Sequence, residues 1–133
     1  MRTVVFSLMF CVIGAFGAQA QDAGIKGTIS QQFDAFRADD FAQAFEFASP
    51  SLQQMFRTPD NFRAMVTQGY PMVWKPADVR FLELRESSGT YWQKVMITDD
   101  KGAVHVLEYR MLQTNEGWRI NGVQILKEPA ANV

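Results

Sequence analysis

The chain has 133 residues, 47% of them hydrophobic, with 13 basic and 14 acidic side chains and a formal net charge of −1. That length suits one domain. A balanced charge with no block of either sign gives no electrostatic footprint for nucleic acid or for an anionic membrane. Cys11 is the single cysteine, so no intramolecular disulfide is available and the hydrophobic core has to hold the fold unaided.

Arg2, the apolar run from Val4 to Ala15 and the small-residue pattern Ala18-Gln19-Ala20 follow the order of a secretory signal peptide, with cleavage expected after Ala20. An apolar run of about 12 residues falls short of the roughly 20 that cross a bilayer as a helix. The expectation is a periplasmic or secreted protein with no membrane anchor after cleavage, residues 1–20 being the signal and residues 21–133 the single domain. Loss of Arg2 moves the net charge from −1 to −2, and Cys11 leaves with the signal.

Ile25, Ile29, Phe33 and Phe36 form one apolar stripe and predict a helix between about Gly24 and Arg37. Asp39 or Asp40 caps a second helix whose buried face is Phe41, Ala44, Phe45 and Ala48. Ser49-Pro50 and Thr58-Pro59 each read as an N-cap followed by proline in the first helical position. They open a short turn carrying Leu52, Met55 and Phe56, and a helix carrying Phe62, Met65 and Val66 that stops at Gly69. Tyr70 to Pro76 reads as an extended connector.

Beyond Pro76 the period changes to that of strands. Four are predicted, at about Val79–Arg85, Tyr91–Thr98, Ala103–Leu112 and Trp118–Leu126, separated by short glycine-bearing turns that make neighbours antiparallel. The fold class is α+β: N-terminal helices packed on a curved four-stranded antiparallel sheet, cone-like in shape.

Helices followed by such a sheet resemble the cone-shaped fold of the nuclear transport factor 2-like superfamily. Asp39-Asp40, Ala48-Ser49-Pro50, Phe62 with Met65-Val66, Tyr70-Pro71-Met72-Val73, Tyr109, and Trp118-Arg119-Ile120 with Gly122-Val123 together resemble a family of exported bacterial proteins, domain of unknown function 4864. The resemblance implies the fold and brings no established activity or catalytic residue.

His105 is the only histidine, and the scattered carboxylates have no calcium-loop spacing, so neither a metal site nor a cofactor is expected. No phosphate-cradling glycine loop and no nucleophile elbow is present. Alternation puts His105 and Tyr109 on the same face of the third strand as Ala103, Leu107 and Met111, as a polar pair for a pocket or as two core rings. Glu83 shares the parity of Val79 and Phe81 and is the carboxylate to join them, although Leu82 and Leu84 break the alternation there. Tyr70, Trp74, Tyr91 and Trp92 are candidates to wall the mouth of a cavity, or simply to close the core.

The ligand-binding candidates are therefore Tyr70, Trp74, His105 and Tyr109, and the catalytic candidates His105, Tyr109 and Glu83. The leading expectation is a non-catalytic exported module that binds a small apolar molecule or a periplasmic protein partner. One alternative is an isomerase- or hydrolase-type enzyme with His105 as base, Tyr109 as hydrogen-bond donor and Glu83 as second carboxylate. Another is a homodimer formed by the face of Val104, Val106 and Leu112, with Glu108 and Arg110 pairing across it.

Overall fold

A computed structural model describes residues 13–127, with side-chain environments from Gln19 to Leu126. Five helices, α1 (Ile13–Arg37), α2 (Phe41–Glu46), α3 (Pro50–Phe56), α4 (Pro59–Gly69) and α5 (Pro71–Trp74), precede four strands. The strands, β1 (Asp78–Ser87), β2 (Thr90–Thr98), β3 (Val104–Thr114) and β4 (Gly117–Lys127), pair antiparallel in the order β1-β2-β3-β4. The α+β class and the meander follow the sequence pattern. The signal-peptide reading falls on residues 1–20, of which the first twelve lie outside the described residues.

Helix α1 begins at Ile13, well before the expected start near Gly24. Ala18 to Ala23 carries no proline and no capping residue with a side-chain bond that would open a new helix, so the helical backbone runs through it. Its stripe is as expected: Ile25, Ile29, Phe33 and Phe36 are buried, together with Thr28 and Gln32. They cover the inner face of the sheet, formed by Val95, Ile97, Leu107, Tyr109, Trp118 and Ile120.

The predicted caps are present. Asp40 accepts a bond from Gln43 N, Ser49 from Leu52 N and Thr58 from Asn61 N, each satisfying an amide that the helix leaves unpaired. Asp39, by contrast, caps nothing; it sits at φ +56° between α1 and α2. Ala48 is buried but lies beyond α2, where it bridges in parallel to Ile120 of β4. The connector after Tyr70 is not extended: Pro71 opens the single helical turn of α5, its fixed φ and missing amide both suiting a first helical position.

Three irregularities interrupt the sheet, one of them at Val106/Leu107, where Leu126 is the extra residue of β4. Phe81 pairs with Val95 and Leu84 with Gln93, so Leu82 and Glu83 together oppose Lys94 in a bulge. Gln93, fully buried, holds it by donating from Nε2 to the carbonyls of Leu82 at 3.0 Å and Lys94 at 2.8 Å. In the third, Arg110 pairs with Gly122 and Met111 with Ile120, leaving Asn121 as the extra residue of β4.

Trp118 closes the core end nearest the start of the domain. Its ring lies against Gly24, where an added Cβ would stand 2.6 Å from Trp118 Cδ1, and its carbonyl accepts from Thr28 Oγ1 at 3.1 Å. Gly24→Ala is therefore expected to destabilise the protein by about 1–3 kcal/mol through overpacking, outweighing the roughly 0.5–1 kcal/mol that alanine contributes inside a helix. Gly27→Ala, with nothing within 4 Å of its new methyl, is expected to stabilise by up to about 1 kcal/mol. Urea unfolding of the two variants of residues 21–133 reads this difference in sign.

Candidate functional site

Between the helical layer and the β3–β4 half of the sheet lies a cavity of about 460 Å³. Its floor is Tyr109 of β3 with Ile120, Gly122 and Val123 of β4. Gln32 and Phe36 of α1 form one wall, and Phe62, Met65 and Val66 of α4 another. Leu52, Met55 and Phe56 of α3 roof it, and Met55 is the most exposed large apolar side chain in the described protein, at 62%.

The cavity follows from a junction of chain segments at the β4 bulge. Ser49 N donates to Ile120 O at 2.7 Å and Ile120 N to Phe47 O at 2.8 Å, which ties the α2–α3 link to β4. Ser49 Oγ then donates to Asn121 Oδ1 at 2.7 Å, so the residue that caps α3 also grips the bulge. Helix α3 consequently stands over the sheet without burying any of its own residues, and the space beneath it stays open.

No charged side chain lines this space. Its polar groups are few. Tyr70 Oη donates to Val123 O at 3.2 Å, which places that ring at the edge where α4 and α5 meet β4. Tyr109 is 1% exposed, and burial, with the neighbouring Tyr70 second, pushes its phenol far above the usual range, so it stays a neutral hydroxyl. Gln32 Nε2 donates to Ala44 O at 3.1 Å.

Of the four ligand-binding candidates, Tyr70 and Tyr109 come together in the cavity; Trp74 and His105 lie elsewhere. Trp74 Nε1 donates to Asp39 Oδ1 at 2.7 Å and its ring packs on Phe41, so it latches α5 to the α1–α2 turn. Asp39 is held below the usual carboxylate range by that indole and by Lys75, which completes the latch at 3.1 Å. The sequence reading made Asp39 a cap because its partner is 35 residues distant in the chain.

His105 does share the inner face with Tyr109, but they are four residues apart, about 13 Å along an extended strand. Its Nε2 meets Asp99 Oδ2 at 2.8 Å, and Asp99 Oδ1 accepts from Lys101 N and Ala103 N, each at 2.9 Å. The pair thus fastens the β2–β3 turn. Glu83 is placed by the bulge: it is exposed and pairs at 2.8 Å with Lys94, whose strand neighbours Gln93 and Val95 point inward. His105 and Glu83 therefore belong to opposite sheet faces, and the three catalytic candidates do not converge on one pocket.

The other aromatic candidates also lie outside the cavity lining. Tyr91 packs edge-on against Trp118 and donates to Gln21 Oε1 at 3.0 Å. Trp92 lies on the outer face between the guanidinium groups of Arg85 and Arg110. Of the three polar side chains on the lining, Gln32 is the one that sequence reasoning passed over. Its position, seven after Ile25 and four before Phe36, put it on the apolar stripe, and a polar residue there was the available sign.

A family model matches residues 18–133, most of the chain. The chain belongs to the family described as domain of unknown function 4864. No curated protein and no solved structure matches it. That family description assigns no chemistry, so the cavity and its lining carry the functional argument.

The Asp99–His105 pair generates a pH prediction. Asp99 is held below its ordinary 3.8 chiefly by the hydrogen bond from His105, then by the Ala103 and Lys101 amides. A carboxylate depressed in the folded state contributes stability above its unfolded value, and that contribution is lost as pH falls through the folded value. Asp99→Ala is therefore expected to be clearly less stable than the parent at pH 5–7. The gap is expected to narrow progressively below about pH 3.8 in urea titrations.

Proposed function

We propose that this protein is an exported, non-catalytic module that binds a small apolar molecule in the cavity beneath α3. The observation that carries the reading is a half-open cavity of about 460 Å³ whose lining is aliphatic and aromatic, with only Gln32, Tyr70 and Tyr109 contributing polar side chains. That volume is within the range of small-molecule sites, which combine an apolar wall with a few placed polar groups. Export is supported by Arg2, the apolar run to Ala15 and the Ala18-Gln19-Ala20 site. Binding is favoured over turnover because His105, Tyr109 and Glu83 are dispersed over two sheet faces. The reading includes a cone-shaped architecture of the nuclear transport factor 2-like type, supported by the helices-then-meander order and by two bulged strand pairs.

Native mass spectrometry of the protein purified from its own cell envelope is expected to show a retained small molecule, and Met65→Trp, which fills the cavity from α4, is expected to lose it while melting within a few degrees of the parent. Parent protein that is empty and takes up no apolar probe overturns the reading.

A separate observation favours a second reading, self-association. Val104, Leu112 and Leu126 are exposed on the sheet face turned away from the helices, beside the half-buried Met96 and Val106. Glu108 on that face is already paired within the chain, at 2.6 Å with Arg85, so apolar contact between two copies is the driving term in place of a Glu108–Arg110 exchange. Sedimentation at micromolar concentration is expected to show a dimer that Val106→Glu converts to monomer; a monomeric parent at all concentrations removes the reading.

A further inference from the structure

Two polar atoms on the cavity wall have hydrogen-bonding capacity that the described residues leave unused. Gln32 donates from Nε2 to the Ala44 carbonyl, which can only accept, so the amide orientation is fixed and Oε1 is left as an acceptor. No described residue donates to it, although Gln32 is only 6% exposed. The Tyr109 hydroxyl makes no side-chain hydrogen bond to a described residue, in contrast to Tyr70, whose hydroxyl is used on Val123. The buried side-chain atoms without a partner among the described residues, Gln93 Oε1 and His105 Nδ1, lie outside the cavity lining, so Gln32 Oε1 and the Tyr109 hydroxyl are reached by solvent through the open cavity, and a ligand's polar end exchanges for that water.

The remainder of the lining sets the opposite requirement. Phe36, Phe56, Met65 and Val66 present carbon, and no Lys, Arg, His, Asp or Glu stands on the wall to neutralise a charge. An ionised ligand entering there loses its hydration and gains no counter-ion. The occupant must therefore carry hydrogen-bonding capacity without charge.

We propose that the cavity binds a neutral amphiphile, an apolar body ending in a hydroxyl or primary amide that donates to Gln32 Oε1 and accepts from the Tyr109 hydroxyl. This assignment rests on the apolar-ligand reading and specifies the chemistry of the ligand's polar end. Matching both atoms demands a group that is at once donor and acceptor, which a hydrocarbon, an ether or a quaternary ammonium is not. Tyr109 and Gln32 act here as specificity residues, and the aromatic and aliphatic wall provides the bulk of the affinity.

The hydrocarbon probe diphenylhexatriene, whose fluorescence rises in an apolar site, is titrated into the mature protein and then displaced with decanol, decanoate at pH 8, or decyltrimethylammonium. Decanol is expected to compete at least about tenfold better than either charged compound. Tyr109→Phe and Gln32→Met are each expected to weaken decanol by roughly three- to tenfold more than they weaken diphenylhexatriene, since the probe makes no hydrogen bond. Urea unfolding of each variant reports separately that it is folded. Decanoate competing as well as decanol, or both variants binding decanol like the parent, overturns the assignment while probe binding keeps the apolar cavity. Absence of probe binding to the parent overturns the cavity reading and the assignment with it.

Discussion

The fold depends on one contact surface, the apolar stripe of α1 laid across the inner face of the sheet. Ile25 and Ile29 are wholly buried there, and Phe33 and Phe36 extend the stripe onto Tyr109 and Phe62. With Cys11 the single cysteine, no covalent staple shares this role among residues 21–133. The rest of the helical layer is assembled around that surface: Phe41 and Phe45 pack on the same aromatic cluster, and Gly24 lets α1 approach Trp118 closely enough to seal the far end. Burial of this size is what stabilises a domain of this length without a disulfide.

Given that surface, the cavity is a consequence of where the helical layer is attached to the sheet. Ser49 serves three purposes at one point: it ends the α2 link, caps α3 and grips Asn121 in the β4 bulge. The cap fixes where α3 starts and the grip fixes how close it comes, so α3 spans the core edge without filling it. A loosely buried helix thus leaves an aliphatic space that a fully interdigitated core would not have.

Charge is arranged to leave that space neutral. Asp39 is engaged by Trp74 and Lys75, Glu83 by Lys94, Glu108 by Arg85 and Asp99 by His105. Each pair fastens a turn, a bulge or a strand face, and none of these side chains lines the cavity. The only histidine thus serves the β2–β3 turn, and the polar groups that do meet the cavity are uncharged. Such a lining suits recognition by shape and a hydrogen bond, and it provides no acid–base pair poised on a common substrate position.

The sequence by itself determined the order of elements, the helix caps and the residues of the core. These are local or periodic properties: a hydroxyl before proline caps a helix, and a stripe at helical spacing must face apolar surface. Strand parity put Tyr109 on the inner face, and Tyr70 was an aromatic candidate in the connector; the structure brings both to the cavity lining. Parity also put His105 on the inner face, where it lies, but it did not reveal the partners of Trp74 and His105 or the outward direction of Glu83. The partner of Trp74 lies across the chain in Asp39, that of His105 lies in a turn, and the direction of Glu83 is reversed by a bulge held through a buried Gln93. Only the tertiary structure decided those directions, and only it showed Gln32 and the roof of α3 meeting Tyr109 around one cavity. The physical reason is that periodicity reports which face a residue occupies, whereas a bulge, a long-range hydrogen bond and an incompletely packed helix depend on how distant segments fit together.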